Sequence, residues 1–290
     1  MIKILKLSRP FHLVLAVLTY TLGAGIAHYL GHPFLLPPFG LGLLASLALL
    51  GAAFLLSEYF RLPLLPLAQG ESPRQREHFR VMLLQVIFAA LTLSAVSILT
   101  LLLTHSFNPS SGFLFLLAFL FLVAYATPPM RFAEIGYGEL VLAVTYGTLL
   151  PTLAFLLQYN QLHRLLALTT FPLSLLALAY FLVNNFPTFA TDLKLGRNTL
   201  LTRLTWQRAI PIHHFLVLSA FLLFAAAPFL GYPWSLIWPV FLTLPFAVMQ
   251  IIWLQRIANG GRTLWNFLTA LGSATFALAV YLLALTFWIR

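Results

Sequence analysis

Long apolar stretches alternate with short polar ones from one end of this chain to the other. Nine stand out, at roughly 11–31, 40–60, 81–104, 113–128, 138–157, 166–190, 212–230, 233–254 and 264–288. Several reach the ~20 apolar residues that a helix needs to cross a bilayer. The fourth is short, and the seventh and eighth are separated only by the tight turn Gly231-Tyr232-Pro233. Strand-length segments alternating apolar and polar positions are absent, which argues against a closed β-barrel. The pattern predicts an all-α polytopic membrane protein, a bundle of about nine transmembrane helices, with residues 1–290 forming one integral-membrane domain.

Composition excludes a soluble domain: 61% of the residues are hydrophobic and only 8% charged, and the mean hydropathy is +0.96. With the N-terminus in the cytoplasm, every Lys and Arg except Arg164 and Arg290 falls on the cytoplasmic side, as the positive-inside rule requires. The net charge of +10 then reflects topology and attraction to membrane lipids, and no nucleic-acid partner is needed to account for it. All six acids, Glu58, Glu71, Glu77, Glu134, Glu139 and Asp192, fall at or near that same face. A transporter relay would place ionisable groups near the midplane; none is found, so any chemistry belongs at the inner mouth of the bundle. Lys3, Lys6 and Arg9 precede an apolar run as in a signal peptide, but the run is long and its removal would break the charge parity, so a retained helix is expected. Trp206, Trp253 and Trp265 near the inner boundary, and Trp234, Trp238 and Trp288 near the outer one, suit an aromatic belt. Without cysteine, disulfides, thiol nucleophiles and thiolate metal ligands are excluded.

The sixth run ends in polar residues. Asn184, Thr188 and Asp192 are spaced i, i+4, i+8, which on a continuous helix stacks them on one face, with Asn185 beside them. The asparagines alone read equally well as interhelical hydrogen-bond partners or as part of a site. Asp192, Gly196 and Arg197, which follow at once, favour a site. The second run ends Ser57-Glu58-Tyr59-Phe60-Arg61, followed by Pro63, Pro66 and a polar stretch with Gly70, Glu71, Arg74, Arg76 and Arg80. Four crossings separate the two run ends, so both emerge on one side. Carboxylate and amide oxygens among arginines suit a diphosphate bridged to protein through Mg²⁺, which binds through one or two carboxylates plus phosphate oxygens. Arginine supplies matching positive charge. A lipid tail on the diphosphate would suit a bundle holding 27 Phe, although Phe equally makes ordinary lipid-facing surface.

These residues resemble the UbiA-type aromatic prenyltransferases, above all the branch that prenylates 1,4-dihydroxy-2-naphthoate for menaquinone. That branch carries N-N-x-x-D-x-x-x-D-x-x-x-G-K-x-T-L. Here Asn184, Asn185, Asp192, Gly196, Thr199 and Leu200 match, Arg197 stands for the Lys and Thr188 replaces the first Asp. Arg9-Pro10 opens the first helix as in the family. Tyr125-Ala126-Thr127-Pro128-Pro129-Met130-Arg131 resembles its Y-x-x-P-P-x-[KR] segment, and Gly136-Tyr137-Gly138-Glu139 stands for G-x-G-E. The resemblance covers essentially the whole chain. The first family motif, N-D-x-x-D-x-x-x-D, falls on Ser57, Glu58, Arg61 and Leu65, so it is degenerate: only Glu58 keeps a carboxylate.

The resemblance implies transfer of a polyprenyl group from a prenyl diphosphate to a dihydroxynaphthoate-like aromatic acceptor, in isoprenoid quinone biosynthesis, at the cytoplasmic face of the cell membrane. It implies Mg²⁺, with Asp192 and Glu58 as catalytic metal ligands and Asn184 as a further oxygen donor. Asn184, Asn185, Arg131, Arg197, Arg61, Tyr125 and Arg9 are the expected substrate-binding set. Arg61 replacing an acid changes local charge by two units, so fewer metals would be needed. Glu139 reads as an ion-pair partner of Arg131 or as an acceptor contact. His213 and His214, adjacent and therefore divergent on a helix, read as boundary residues. Glu77 and His78 read as part of a solvated loop, and Arg74, Arg76 and Arg80 as a head-group patch or a lid. The lost aspartates also allow a non-catalytic family member that binds isoprenoid lipid or quinone.

Overall fold

The structure is a computed structural model that describes residues 4, 7–67, 71–104 and 106–290. Lys3, Lys6 and Gly70 of the charge and loop readings lie outside the described residues. Among those described, nine helices are long and apolar enough to cross a membrane: α1 Pro10–Tyr29, α2 Leu36–Arg61, α3 Pro73–Leu103, α4 Pro109–Ala126, α5 Gly138–Gln158, α6 Arg164–Lys194, α7 Leu200–Leu230, α8 Trp234–Ala258 and α9 Trp265–Ile289. No β-strand is present among them, only a lone parallel bridge between Ile135 and Asn198.

Two helices begin two turns or more before the apolar pattern predicts. Ser72 and Gln75 form a capping box ahead of α3, with Pro73 in the first turn where its missing N–H costs nothing. Arg74, Arg76, Glu77, His78 and Arg80 therefore ride on the first two turns of a helix, not on a solvated loop. Thr199 caps α7 through the Thr202 N–H, well before the apolar run, and Thr205 (φ 62°) interrupts the helix. Polar turns that project from a bilayer carry no hydropathy signal, which is why the runs missed both.

The helix α6 differs in the opposite sense. Regular α-helix stops at Asn184, a 3₁₀ turn covers Phe186–Thr188, and helix resumes over Phe189–Lys194. Pro187 offers no N–H and disfavours helical geometry at Phe186, so Asn184, Thr188 and Asp192 do not share one continuous helical stripe.

Burial separates the centre of the bundle from its rim. The apolar window of α5 is 83% buried and that of α3 only 22%, so α5 is central and α3 lies against lipid-accessible space, packed mainly on α2. Helix α1 packs on α5 and α9, and α6 packs on α5 and α7. Small residues let these backbones approach. A Cβ added at Gly23 of α1 would fall 1.9 Å from the Pro151 carbonyl oxygen of α5, and one at Gly147 of α5 would fall 2.3 Å from Ser174 Cα of α6. A π-helical turn, Thr145–Leu149, interrupts α5, and such turns often re-aim side chains near sites. Here it carries Tyr146, whose hydroxyl donates to the His12 carbonyl at 2.9 Å.

Few hydrogen bonds cross the core. Thr169 and Tyr232 hydroxyls meet at 2.8 Å, and Gln250 Nε2 lies 2.8 Å from His213 Nε2. His213 is fully buried, so it is an interhelical partner and not the boundary residue expected; His214 takes the outward position. Bonds of this kind contribute roughly 0.6 kcal/mol each within a bilayer.

Candidate functional site

The ends of α1, α4, α5 and α6, with the loops before α5 and α7, line a cavity of about 210 Å³ at one end of the bundle. Arg9, Tyr125, Glu139, Asn184, Asn185 and Arg197 form its polar wall. Its inner wall includes His12, Leu142 and Phe181. The His12 ring stacks on Phe181 at 5.7 Å and is edged by Phe54, Tyr146 and Tyr180. The sequence reading did not single out these residues; an imidazole three positions past Arg9, on the first turn of an apolar helix, was the available signal.

Arg9 is held from three sides. Its Nη1 donates to the Tyr125 hydroxyl at 3.3 Å, its Nη2 lies 3.8 Å from Glu58 Oε1, and its guanidinium sits 5.0 Å from the Phe54 ring centroid. Its backbone is left-handed, with φ 52°, immediately before the helix-starting Pro10. Arg131 is left-handed as well, with φ 44°, at the start of the one-turn helix Phe132–Ile135. Only one other non-glycine described residue has positive φ. A non-glycine residue held there costs on the order of 1–3 kcal/mol, and such strain clusters at functional sites. Two strained arginines at one end of the bundle are therefore an observation about function.

The two expected metal ligands are already engaged. Glu58, 5% exposed, accepts both Arg61 Nε at 3.0 Å and Arg61 Nη2 at 2.5 Å on one oxygen, with Arg9 near the other. Asp192, 4% exposed, accepts the Thr188 hydroxyl at 2.8 Å and pairs with Arg197 Nη1 at 3.5 Å. Neither acid lines the cavity; each touches an arginine that does. Asn184 lines it, with its amide nitrogen donating to the Tyr180 carbonyl at 2.8 Å. No group of three His, Asp or Glu side chains placed to hold a metal occurs among the described residues. The Mg²⁺ implied by the resemblance thus finds no nest of open carboxylates here. A cation brought to either acid has to displace a guanidinium. The donor set does not fit the metal.

Glu139 is not paired with Arg131. Its carboxylate, 8% exposed, accepts from the Asn185 amide nitrogen and from the Leu200 N–H at 3.2 Å. It thereby joins the start of α5 to the end of α6 and the start of α7. Arg131 reaches the Phe60 carbonyl at 3.4 Å. Arg203, also missed, donates to the Ile135 carbonyl at 3.1 Å and covers the Tyr137 ring at 4.5 Å. Asn198 donates its N–H to the Glu134 carbonyl at 3.3 Å. These contacts lace the loop before α5 to the loop before α7. After α2, Arg76 bonds the carbonyls of Leu62, Leu65 and Pro66 and the carboxylate of Glu71, so it organises that loop.

Solved structures share this architecture. A UbiA homologue from Archaeoglobus fulgidus bound to GPP and Mg²⁺ superposes with a TM-score of 0.66 at 16% identity, covering 99% of this chain and 100% of that one. The apo UbiA homologue from Aeropyrum pernix K1 gives 0.64 at 17% identity, covering 92% and 96%. A digeranylgeranylglyceryl phosphate synthase gives 0.57 at 13% identity, covering 99% and 98%. At such identities the likeness concerns the fold. No curated protein matches the chain in sequence. The profile of the UbiA prenyltransferase family, however, matches residues 78–262, more than half of the chain, and with that match this multi-pass membrane protein belongs to the UbiA prenyltransferase family.

Proposed function

We propose that this protein transfers a polyprenyl group from a prenyl diphosphate to a hydroxylated aromatic acceptor of the dihydroxynaphthoate kind, as a step in isoprenoid quinone synthesis. The observation that carries the reading is one cavity with arginines on its polar wall and aromatic and apolar side chains on its inner wall. A diphosphate head belongs to the first and an allylic chain to the second. That solved relatives were bound to GPP and to DMAPP, each with Mg²⁺, supports the donor class.

The chemistry asks little covalent work of the protein. The C1–O bond of the prenyl diphosphate breaks and its electron pair leaves with the diphosphate. The aromatic ring carbon forms the new bond to C1, and the ring then gives up a proton or a carboxyl group as CO₂. Arg9, Arg61, Arg131 and Arg197 neutralise the leaving group as its charge develops, and Tyr125 orients Arg9. Glu58 and Asp192 fix the arginines they pair with. Asn184 and the Asn185–Glu139 pair shape the wall where the acceptor is held near C1. Relatives carry Mg²⁺, but in this chain Glu58 and Asp192 are paired with arginines and leave no fitting donor set. The whole chain acts as one domain in the cell membrane, with the cavity on the cytoplasmic side, where the positive-inside bias directs it.

The test is a transfer assay on protein purified in lipid nanodiscs, with prenyl diphosphates of several lengths, several hydroxylated aromatic acceptors, and Mg²⁺ or a chelator. A prenylated aromatic product is expected. Binding of prenyl diphosphate without product from any acceptor would establish the non-catalytic alternative instead.

A further inference from the structure

We infer that the diphosphate head is gripped by guanidinium groups in place of a metal cluster, so that binding is independent of divalent cations. The inference rests on the prenyl diphosphate reading above and deepens it. Three observations carry it.

The first is charge. Against the family's two motifs, this chain lacks acids at Arg61, Leu65 and Thr188, and Arg61 adds a positive charge. Three negative charges lost and one positive gained shift the site by four units, the charge of two Mg²⁺ ions. The same substitutions that remove metal ligands supply the electrostatic equivalent of the metals.

The second is occupancy of what remains. Glu58 holds two arginines and Asp192 holds Arg197 and Thr188. A divalent cation at either carboxylate would lie against an adjacent guanidinium, where like charges repel most strongly in a partly desolvated setting. At the position of the lost third acid, the Leu65 carbonyl is itself bonded by Arg76 at 2.6 Å.

The third is donor groups without acceptors. The Nε atoms of Arg131 and Arg197 are buried and have no hydrogen-bond partner. Buried donors are normally paired, and exceptions call for an explanation. Arg197 lines the cavity, and Arg131, two residues before the lining residue Ala133, has a strained backbone. A diphosphate offers the planar pairs of oxygen acceptors that suit a guanidinium fork.

Binding of a non-reactive farnesyl thiodiphosphate to the full chain in nanodiscs, measured by calorimetry with excess EDTA and then with Mg²⁺, tests the inference. Dissociation constants that agree within about threefold are expected, with inorganic pyrophosphate competing in EDTA. Arg131→Gln is expected to weaken binding by about tenfold in both conditions. Its side chain makes only the long hydrogen bond to Phe60 among the described residues, so the protein should melt as the parent does. Arg197→Gln should weaken binding likewise. Binding seen only with Mg²⁺ overturns metal independence while leaving the prenyl diphosphate reading intact. No binding in either condition overturns that reading itself, and this inference with it.

Discussion

Replacing Glu58 by Gln separates the two ways of holding a diphosphate by the sign of the effect. If Glu58 ligates a metal, Glu58→Gln weakens binding. If it is a counter-ion that restrains Arg61 and Arg9, the same change strengthens it. The magnitude follows from the geometry. Arg9 lies 3.8 Å from Glu58, so a phosphate oxygen on the far side of Arg9 sits about 7 Å from the carboxylate. Two unit charges at that distance repel by roughly 2.4 kcal/mol at an effective dielectric of about 20. Screening at a mouth open to water removes about half of that, leaving a fivefold to tenfold gain in affinity. The fold survives, since the Gln carbonyl still accepts from Arg61; losing the charge assistance costs about 1–2 kcal/mol of stability. Calorimetry with the thiodiphosphate in EDTA, beside a thermal melt of the same sample, measures both quantities. A tenfold loss of affinity when the titration is repeated in Mg²⁺, in a variant that melts normally, would refute the reasoning and return Glu58 to the metal.

Other outcomes are equally specific. The pair Arg61→Asp with Thr188→Asp restores two family acids, and binding should then become sensitive to EDTA and recover with Mg²⁺; unchanged binding in EDTA would count against the charge argument. Asn185→Leu leaves the buried Glu139 carboxylate short of one donor, which should lower stability by about 1–3 kcal/mol and slow transfer, read by melting and by the prenyl transfer assay. Gly23→Ala forces a Cβ onto the Pro151 carbonyl, and overpacking of this kind costs about 1–3 kcal/mol or more. Gly51→Ala, with nothing within 4 Å, is its control and should melt at or above the parent temperature.

Hydropathy identified the nine crossings because a bilayer imposes a length of ~20 apolar residues on every span, a condition visible in any window of sequence. It said nothing about Arg74 to Arg80 or Leu200 to Trp206, which are helical beyond the apolar runs. The Ser72-Pro73-Arg74-Gln75 capping box was the local signal there. The helix break at Phe186-Pro187 was equally legible from proline chemistry, and the i, i+4, i+8 spacing of Asn184, Thr188 and Asp192 runs straight across it.

The chain's own order of residues determined which chemistry is possible: arginines and amides at the ends of the second and sixth spans, few acids, and motifs shared with one family. Tertiary structure alone decided how those groups pair. Glu139 meets Asn185 and Leu200, not Arg131, and Glu58 meets Arg9 across the bundle. Such partners lie tens of residues apart, and Coulomb attraction depends on distance in space, which no local periodicity encodes.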